Sequence, residues 1–167
     1  MKPRFIVIAG AFCLTMSLSA CSQRQAPSPA ATELTQTSQR KLVQEEKNRA
    51  LVIEFYTAVL INHNVDLAYQ YLSEDYIQHN PFIATGREAL VTALRDYYAS
   101  YPHAESRIIR TATDGNLVYL HVFAKNGPQD TGNAVVDILR VDNGKIVEHW
   151  DVVQPVPQTS ANQNGMF

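Results

Sequence analysis

The sequence predicts an α+β domain in which helices pack on one face of a curved antiparallel sheet, and three observations carry that prediction. Apolar residues recur at helical spacing before Pro102 and at alternate positions after it. The period changes once, so helices come first and strands follow, unlike the repeated alternation of an α/β chain. The 167 residues, 46% hydrophobic and 18% charged, suit one domain with a sizeable core.

Taken in order, residues 1–20 read as a secretory signal: Lys2 and Arg4 form a charged start, Phe5 to Met16 an apolar middle, and Ser17 to Ala20 a small-residue end. The apolar run is too short for a membrane span. Residues 21–39 are expected to be a flexible tether. Ser22 to Gln39 lacks aromatics and is dominated by Ala, Ser, Thr, Gln and Pro, and Pro27 and Pro29 favour an extended course with a reach of roughly 60 Å. Without the signal, 12 basic residues face 16 acidic ones, a net of −4, and no basic run follows residue 20. A nucleic-acid partner is excluded on that balance, because neutralising phosphates takes clustered Lys and Arg. Cys13 and Cys21 both lie in or beside the signal, so the rest of the chain has no thiol for a disulfide, a zinc cluster or a nucleophile.

The domain is expected over residues 40–156. Val52, Phe55, Tyr56, Val59 and Leu60 place one long helix from about Arg40 to the Asn62-His63-Asn64 stop. A shorter helix is predicted from Val65 to Leu72 behind an Asn64 cap, burying Leu67, Tyr71 and Leu72. Thr85-Gly86-Arg87-Glu88 has capping-box spacing and opens a helix carrying Leu90, Leu94, Tyr97 and Tyr98, which Pro102 stops. Turn signals at Asp114-Gly115-Asn116, Asn126-Gly127-Pro128 and Asp142-Asn143-Gly144 then separate four strands, near Glu105 to Thr113, Leu117 to Lys125, Asn133 to Val141 and Lys145 to Val153. The tail, residues 157–167, is expected to be loosely ordered.

The last hairpin decides which polar residues share a face. A three-residue Asp142-Asn143-Gly144 loop pairs Asp137 with His149, so that Asp137, His149 and Asp151 point the same way. A two-residue Asn143-Gly144 loop pairs Asp137 with Trp150 and sends His149 and Asp151 to the other face. The first reading is favoured because it keeps Leu139, Val141 and Val147 on one apolar wall. Two acids and a histidine on an inner face are costly unless they pair with one another, with water or with a ligand. Such a cluster suits acid/base work, or forms a satisfied structural pair.

His121 faces away from Leu120 and Val122 and joins Asp137 if the neighbouring register allows, while His79 follows the second helix at a turn and either lines a pocket mouth or is solvated. His79, His121, Asp137 and His149 also admit a two-histidine, one-carboxylate metal reading, ranked below acid/base chemistry because no dense motif such as H-E-x-x-H supports it. No Gly-rich phosphate loop and no G-x-S-x-G elbow is present, which removes support for hydride transfer, kinase chemistry and serine hydrolysis. Tyr56, Tyr71, Tyr97 and Tyr98 read as core and pocket wall.

Two stretches carry family resemblances. Leu18-Ser19-Ala20-Cys21 resembles the lipobox of bacterial lipoproteins, which implies a lipidated Cys21 at the mature N-terminus and, with Ser22 after it, an outer-membrane anchor facing the periplasm. Tyr76-Ile77-Gln78-His79-Asn80-Pro81 and Gly144-Lys145-Ile146-Val147-Glu148-His149-Trp150-Asp151, on three helices then four strands, resemble the SnoaL-like branch of the nuclear transport factor 2-like superfamily. That resemblance covers about Lys41 to Val156. It implies a cone of helices and curved sheet around an apolar pocket, pairing as dimers through the sheet, and proton-transfer or aldol-type chemistry at a carbonyl with no cofactor and no metal. Asp151 matches the family's acid/base aspartate with His149 beside it, and Asp137 and His121 match further polar positions. His79, Tyr56 and Trp150 are expected to contact a small apolar carbonyl ligand. A lipoprotein signal departs from cytoplasmic polyketide cyclases, and Arg140 is expected to face away from Asp137 and Asp151, which argues against the arginine-assisted epoxide opening of limonene epoxide hydrolases. The alternative is a non-catalytic pocket or assembly lipoprotein of the same fold.

Overall fold

The computed structural model describes residues 29–167, without the side chains of residues 29–32 and 34. The expected signal, Cys21 and the first part of the tether lie outside the described residues. Among the described residues, no helix is long and apolar enough to cross a membrane.

Helix α1 spans Pro29–Phe55, 27 residues and about 40 Å. It begins well before Arg40, so residues 29–39, expected to be extended, are helical. Pro29 sits at the first position, where its missing N–H costs nothing, and the Ala, Leu, Gln, Glu and Arg that follow tolerate a helix. Residues 35–44 are exposed; burial starts at Asn48, Val52 and Phe55. The chain continues as a π-helical turn over Tyr56–Ile61, in which the Asn62 N–H donates to the Thr57 carbonyl at 2.9 Å. His63, at φ 58°, then breaks the helix.

The next helix is shorter than expected: a 3₁₀ turn over Val65–Leu67 and α2 over Ala68–Tyr71, with no side-chain cap from Asn64. Leu72 instead opens β1, Leu72–Gln78, which the sequence reading missed. Helix α3 spans Arg87–Ser100 and buries Leu90 and Val91. Its capping box is not formed. Gly86, at φ 108°, takes the cap position; Thr85 Oγ1 accepts from the Gln78 N–H at 3.1 Å, and Glu88 accepts from the Tyr69 hydroxyl at 2.7 Å.

Strands β2 (Glu105–Asp114), β3 (Leu117–Lys125), β4 (Asn133–Asp142) and β5 (Lys145–Pro155) fall within two residues of their predicted limits. The sheet order is β1-β5-β4-β3-β2. β2 to β5 form the expected antiparallel meander, but β1 pairs parallel with β5, so the sheet is mixed. Val118, Leu120, Val122, Leu139, Val141 and Ile146 line its inner face against Val52, Phe55, Val59, Leu72 and Val91. Each fully buried side chain of this kind contributes roughly 1.5–3 kcal/mol.

The β4–β5 hairpin corrects the favoured register while keeping its consequence. The turn has two residues, Asn143 at φ 47° and Gly144 at φ 72°, the positive pair that a type I′ turn requires, and Asp142 pairs with Lys145. An unbroken ladder from that turn would send His149 and Asp151 outward. The ladder shifts instead: Val141 pairs with Ile146, but Arg140 pairs with Glu148, leaving Val147 as an extra residue in β5. The extra residue restores the parity. Asp137 therefore opposes Asp151, Leu139 opposes His149, and all four face inward. Beyond Pro155 there is no helix or strand, yet the terminal Phe167 ring lies 5.5 Å from His121 and 5.2 Å from Phe123 on the outer face.

Candidate functional site

Helices and strands together line a cavity of about 160 Å³ between the helices and the sheet. α1 and the π turn supply Phe55, Tyr56 and Leu60, β1 supplies Tyr76 and Gln78, α3 supplies Leu90 and Leu94, and β4 and β5 supply Asp137, Leu139, His149 and Asp151. Eight of the twelve lining residues are apolar or aromatic, so the polar ones stand out as a single patch.

Asp137 is 6% exposed and bonded on both oxygens. The Tyr56 hydroxyl donates to Oδ2 at 3.0 Å, and His149 Nε2 lies 2.9 Å from Oδ1. His149 Nδ1 lies 2.9 Å from Gln78 Oε1, and the Asn80 carboxamide donates to Asp151 Oδ2 at 2.6 Å. The other oxygen of Asp151 accepts no hydrogen bond from a described residue. Ligand-type atoms of Asp137, His149 and Asp151 all lie within 4.8 Å of one another.

Burial first, then the negative charge and hydrogen bond of Asp137, pushes the Tyr56 phenol well above its ordinary value. Burial, then the charges of Asp137 and Asp151, does the same to Tyr76. Both therefore remain hydroxyl donors at neutral pH. Tyr76 accepts from Gln78 Nε2 at 3.2 Å, and its own proton has no acceptor among the described residues.

Of the residues picked from the sequence, Asp137, His149, Asp151 and Tyr56 come together. His121 does not: it pairs with Val136, and neighbours of Asp137 in the ladder are Leu120 and Asp151, so His121 points to the outer face, under Phe167. His79 and Trp150 are on the outer face as well, stacked at 4.6 Å with an interplanar angle of 6°, and do not line the cavity. His79 Nε2 lies 2.8 Å from Glu148, which also accepts from Arg140 Nε at 2.6 Å. Partial burial pushes Glu148 up, but these bonds outweigh it and hold the carboxyl below its usual value. The two-histidine metal set is thus not assembled, since His79 and His121 lie across the sheet from Asp137. Arg140 faces away from the cavity, as expected. Tyr71 and Tyr98 serve packing: Tyr71 sits edge-on to Phe55 at 5.9 Å, and Tyr98 donates to the Leu60 carbonyl at 3.0 Å.

The sequence reading missed Tyr76, Gln78 and Asn80 as site residues. Their signal is the alternation of Leu72, Tyr76 and Gln78 on one face of Leu72–Gln78, a strand that directly follows a helical turn.

A family model for the SnoaL-like domain matches residues 52–149. No curated protein sequence matches the chain. Among solved structures, a proposed ketosteroid isomerase from Kribbella flavida is similar at 20% identity and a TM-score of 0.58, covering 72% of this chain and 87% of that one. A proposed polyketide cyclase from Acidithiobacillus ferrooxidans is similar at 14% identity and a TM-score of 0.56, covering 64% and 87%. An LEH-like epoxide hydrolase of M. tuberculosis is similar at 21% identity and a TM-score of 0.55, covering 66% and 85%. These likenesses show a nuclear transport factor 2-like fold.

Proposed function

The chain belongs to the SnoaL-like domain family, and from that premise we propose that it catalyses proton transfer next to the carbonyl of a small neutral compound, or the aldol-type step such a transfer permits. One observation carries this reading: Asp137, His149 and Asp151 meet within 4.8 Å on the wall of an otherwise apolar cavity. Asp151 is the general base, because it has an oxygen that no described residue occupies, whereas both oxygens of Asp137 are engaged. The C–H bond breaks, its proton goes to Asp151 and its electron pair becomes an enolate. The uncommitted Tyr76 hydroxyl, kept protonated by burial, donates to the enolate oxygen. In simple exchange Asp151 returns the proton to the same carbon; in isomerisation or an aldol-type step the His149–Asp137 pair protonates the second carbon or the alkoxide, and the proton on Asp151 passes to that pair and restores it.

The size and polarity of the cavity narrow the substrate. An engineered cavity of about 150 Å³ accommodates benzene, so a space of about 160 Å³ suits one ring or a short chain, with any larger part outside the mouth. Two carboxylates beside the reacting carbon disfavour an anionic substrate. Epoxide opening of the arginine-assisted kind has no support, since no arginine among the described residues lines the cavity.

The Leu18-Ser19-Ala20-Cys21 string supports a lipid anchor at Cys21 and a site in the bacterial envelope, facing the periplasm from the outer membrane. Exposed Ile77, Val136 and Val152 on the outer sheet face support pairing with a second copy through the sheet. The catalytic reading is tested by offering residues 22–167 a panel of small neutral ketones and enones in heavy water. Deuterium is expected at the carbon beside the carbonyl of at least one compound that the protein retains. Retention of ligands with no exchange in any of them favours the binding-pocket alternative.

A further inference from the structure

Outside the reacting groups, the polar residues of β1 and the loop after it form a connected set of hydrogen bonds whose directions can be worked out. The Asn80 backbone N–H lies 3.0 Å from Gln78 Oε1. A backbone N–H can only donate, so the atom facing it is the carbonyl oxygen of the Gln78 side chain and not its nitrogen. The amide orientation is thereby fixed. The same oxygen lies 2.9 Å from His149 Nδ1, which must then carry a hydrogen. With Nδ1 donating, a neutral ring has a bare Nε2, and a bare nitrogen cannot sit 2.9 Å from an ionised carboxylate oxygen without a proton between them. The His149–Asp137 contact therefore holds one exchangeable proton, as imidazolium and carboxylate or as imidazole and carboxylic acid.

Asn80 acts a second time through its side chain. Its Oδ1 accepts from the Phe82 N–H at 2.9 Å, an Asx turn completed by Pro81, and this aims Nδ2 at Asp151 Oδ2, 2.6 Å away. An aspartate at position 80 would keep the turn but bring a carboxylate oxygen to Asp151. From these bonds we infer that Gln78 and Asn80 are the positioning residues of the site. Gln78, locked by the Asn80 backbone, keeps the His149 proton on Nδ1 so that Nε2 shares its proton with Asp137, and the Asn80 carboxamide sets the rotamer of Asp151. The inference gives the acid/base reading its geometry, but its test does not depend on turnover.

The test is the long-range proton–nitrogen NMR spectrum of the His149 ring, recorded across a pH series on the 22–167 protein. Nδ1 is expected to remain protonated in every state of the ring. In Gln78→Leu, which removes the acceptor, the protonated fraction at Nδ1 in the neutral ring is expected to fall by about tenfold relative to the other tautomer, the effect of one hydrogen bond of ordinary strength. Gln78→Glu, which keeps an acceptor oxygen, is expected to restore it. In the same samples the Asn80 carboxamide proton that faces Asp151 is expected well downfield of its position in Asp151→Ala, where the two protons keep only the separation ordinary for a primary amide; an unchanged shift in a folded Asp151→Ala protein overturns the role of Asn80. A wild-type His149 whose Nδ1 loses its proton in the neutral ring overturns the inference, and so does a folded Gln78→Leu protein with an unchanged ring spectrum. Gln78→Leu loses a buried polar group, so if it fails to fold, the wild-type and Gln78→Glu spectra still decide. Failure of the heavy-water exchange with the expected ring spectrum would reject the catalytic reading and leave the positioning roles standing.

Discussion

Asp137 and Asp151 oppose each other across the β4–β5 ladder because Val147 is left out of the pairing. Two charged side chains directly opposed on an inner face are unfavourable by themselves. They are tolerated because Tyr56 and His149 take up Asp137 while Asn80 takes up Asp151. The tight turn and the extra residue act together: the first sets the register one step out, and the second brings it back. A hairpin with either device alone would turn the site towards solvent.

The turn half of this arrangement is tested by Gly144→Ala. Gly144 has φ +72° and, among the described residues, no atom within 4 Å of an added Cβ, so the substitution introduces backbone strain without a clash. A loss of about 1 kcal/mol in urea denaturation is expected, with the ring spectrum of His149 unchanged.

The buried tyrosines predict an alkaline weakness. Folded Tyr56 and Tyr76 hold their protons well above 10.0, while in the unfolded chain they ionise near that value. The unfolded state therefore binds fewer protons above pH 10. Stability is fully present below that pH and falls above it, by roughly 1.4 kcal/mol per pH unit for each such tyrosine. Tyr56→Phe is expected to cost about 1–3 kcal/mol at neutral pH, because Asp137 loses a buried donor, and to reduce the slope above pH 10. Equilibrium denaturation across pH 8–11 measures both; a flat profile would contradict the account of the tyrosines.

Much of this was legible in the sequence. Strands β2 to β5 announced themselves through alternation between clear turn signals, and the inward-facing trio was anticipated from the favoured register. A two-residue turn with a skipped Val147 reaches the same faces as the three-residue turn that the sequence favours, and no local signal distinguishes the two. β1 was missed for another reason: Leu72–Gln78 follows a helical turn directly, has no punctuating Gly or Pro, and alternates over seven residues against a single neighbour. Losing β1 cost the site Tyr76, Gln78 and, just beyond, Asn80. His121, His79 and Trp150 have the chemistry of site residues, but the strand period places them on the other face.

That reassignment has its own consequence. His121→Gln and His79→Gln are expected to leave small-ligand affinity within about 0.5 kcal/mol of wild type, since neither side chain reaches the cavity. Calorimetric titration with any retained ligand measures this. A tenfold loss from either variant would mean that the outer face contributes to binding.

The anchor is tested separately. The diacylglyceryl group needs a thiol and the lipobox puts it at Cys21, so Cys21→Ser is expected to abolish globomycin-sensitive processing and detergent-phase partitioning of the full chain. A variant that still partitions with detergent contradicts the lipobox reading and leaves the pocket chemistry untouched.

The central claim, that Asp151 is the base, is met most directly by measuring deuterium incorporation beside the carbonyl of a retained compound for wild type, Asp151→Asn and Asp142→Asn. Asp142 lies exposed beside the turn, so its variant is expected to exchange at the wild-type rate. Asp151→Asn keeps the shape but removes the basic oxygen, and its exchange rate is expected to fall by about 10²-fold or more while ligand affinity survives. Near-normal exchange by a folded Asp151→Asn protein would contradict the account and remove this residue from catalysis.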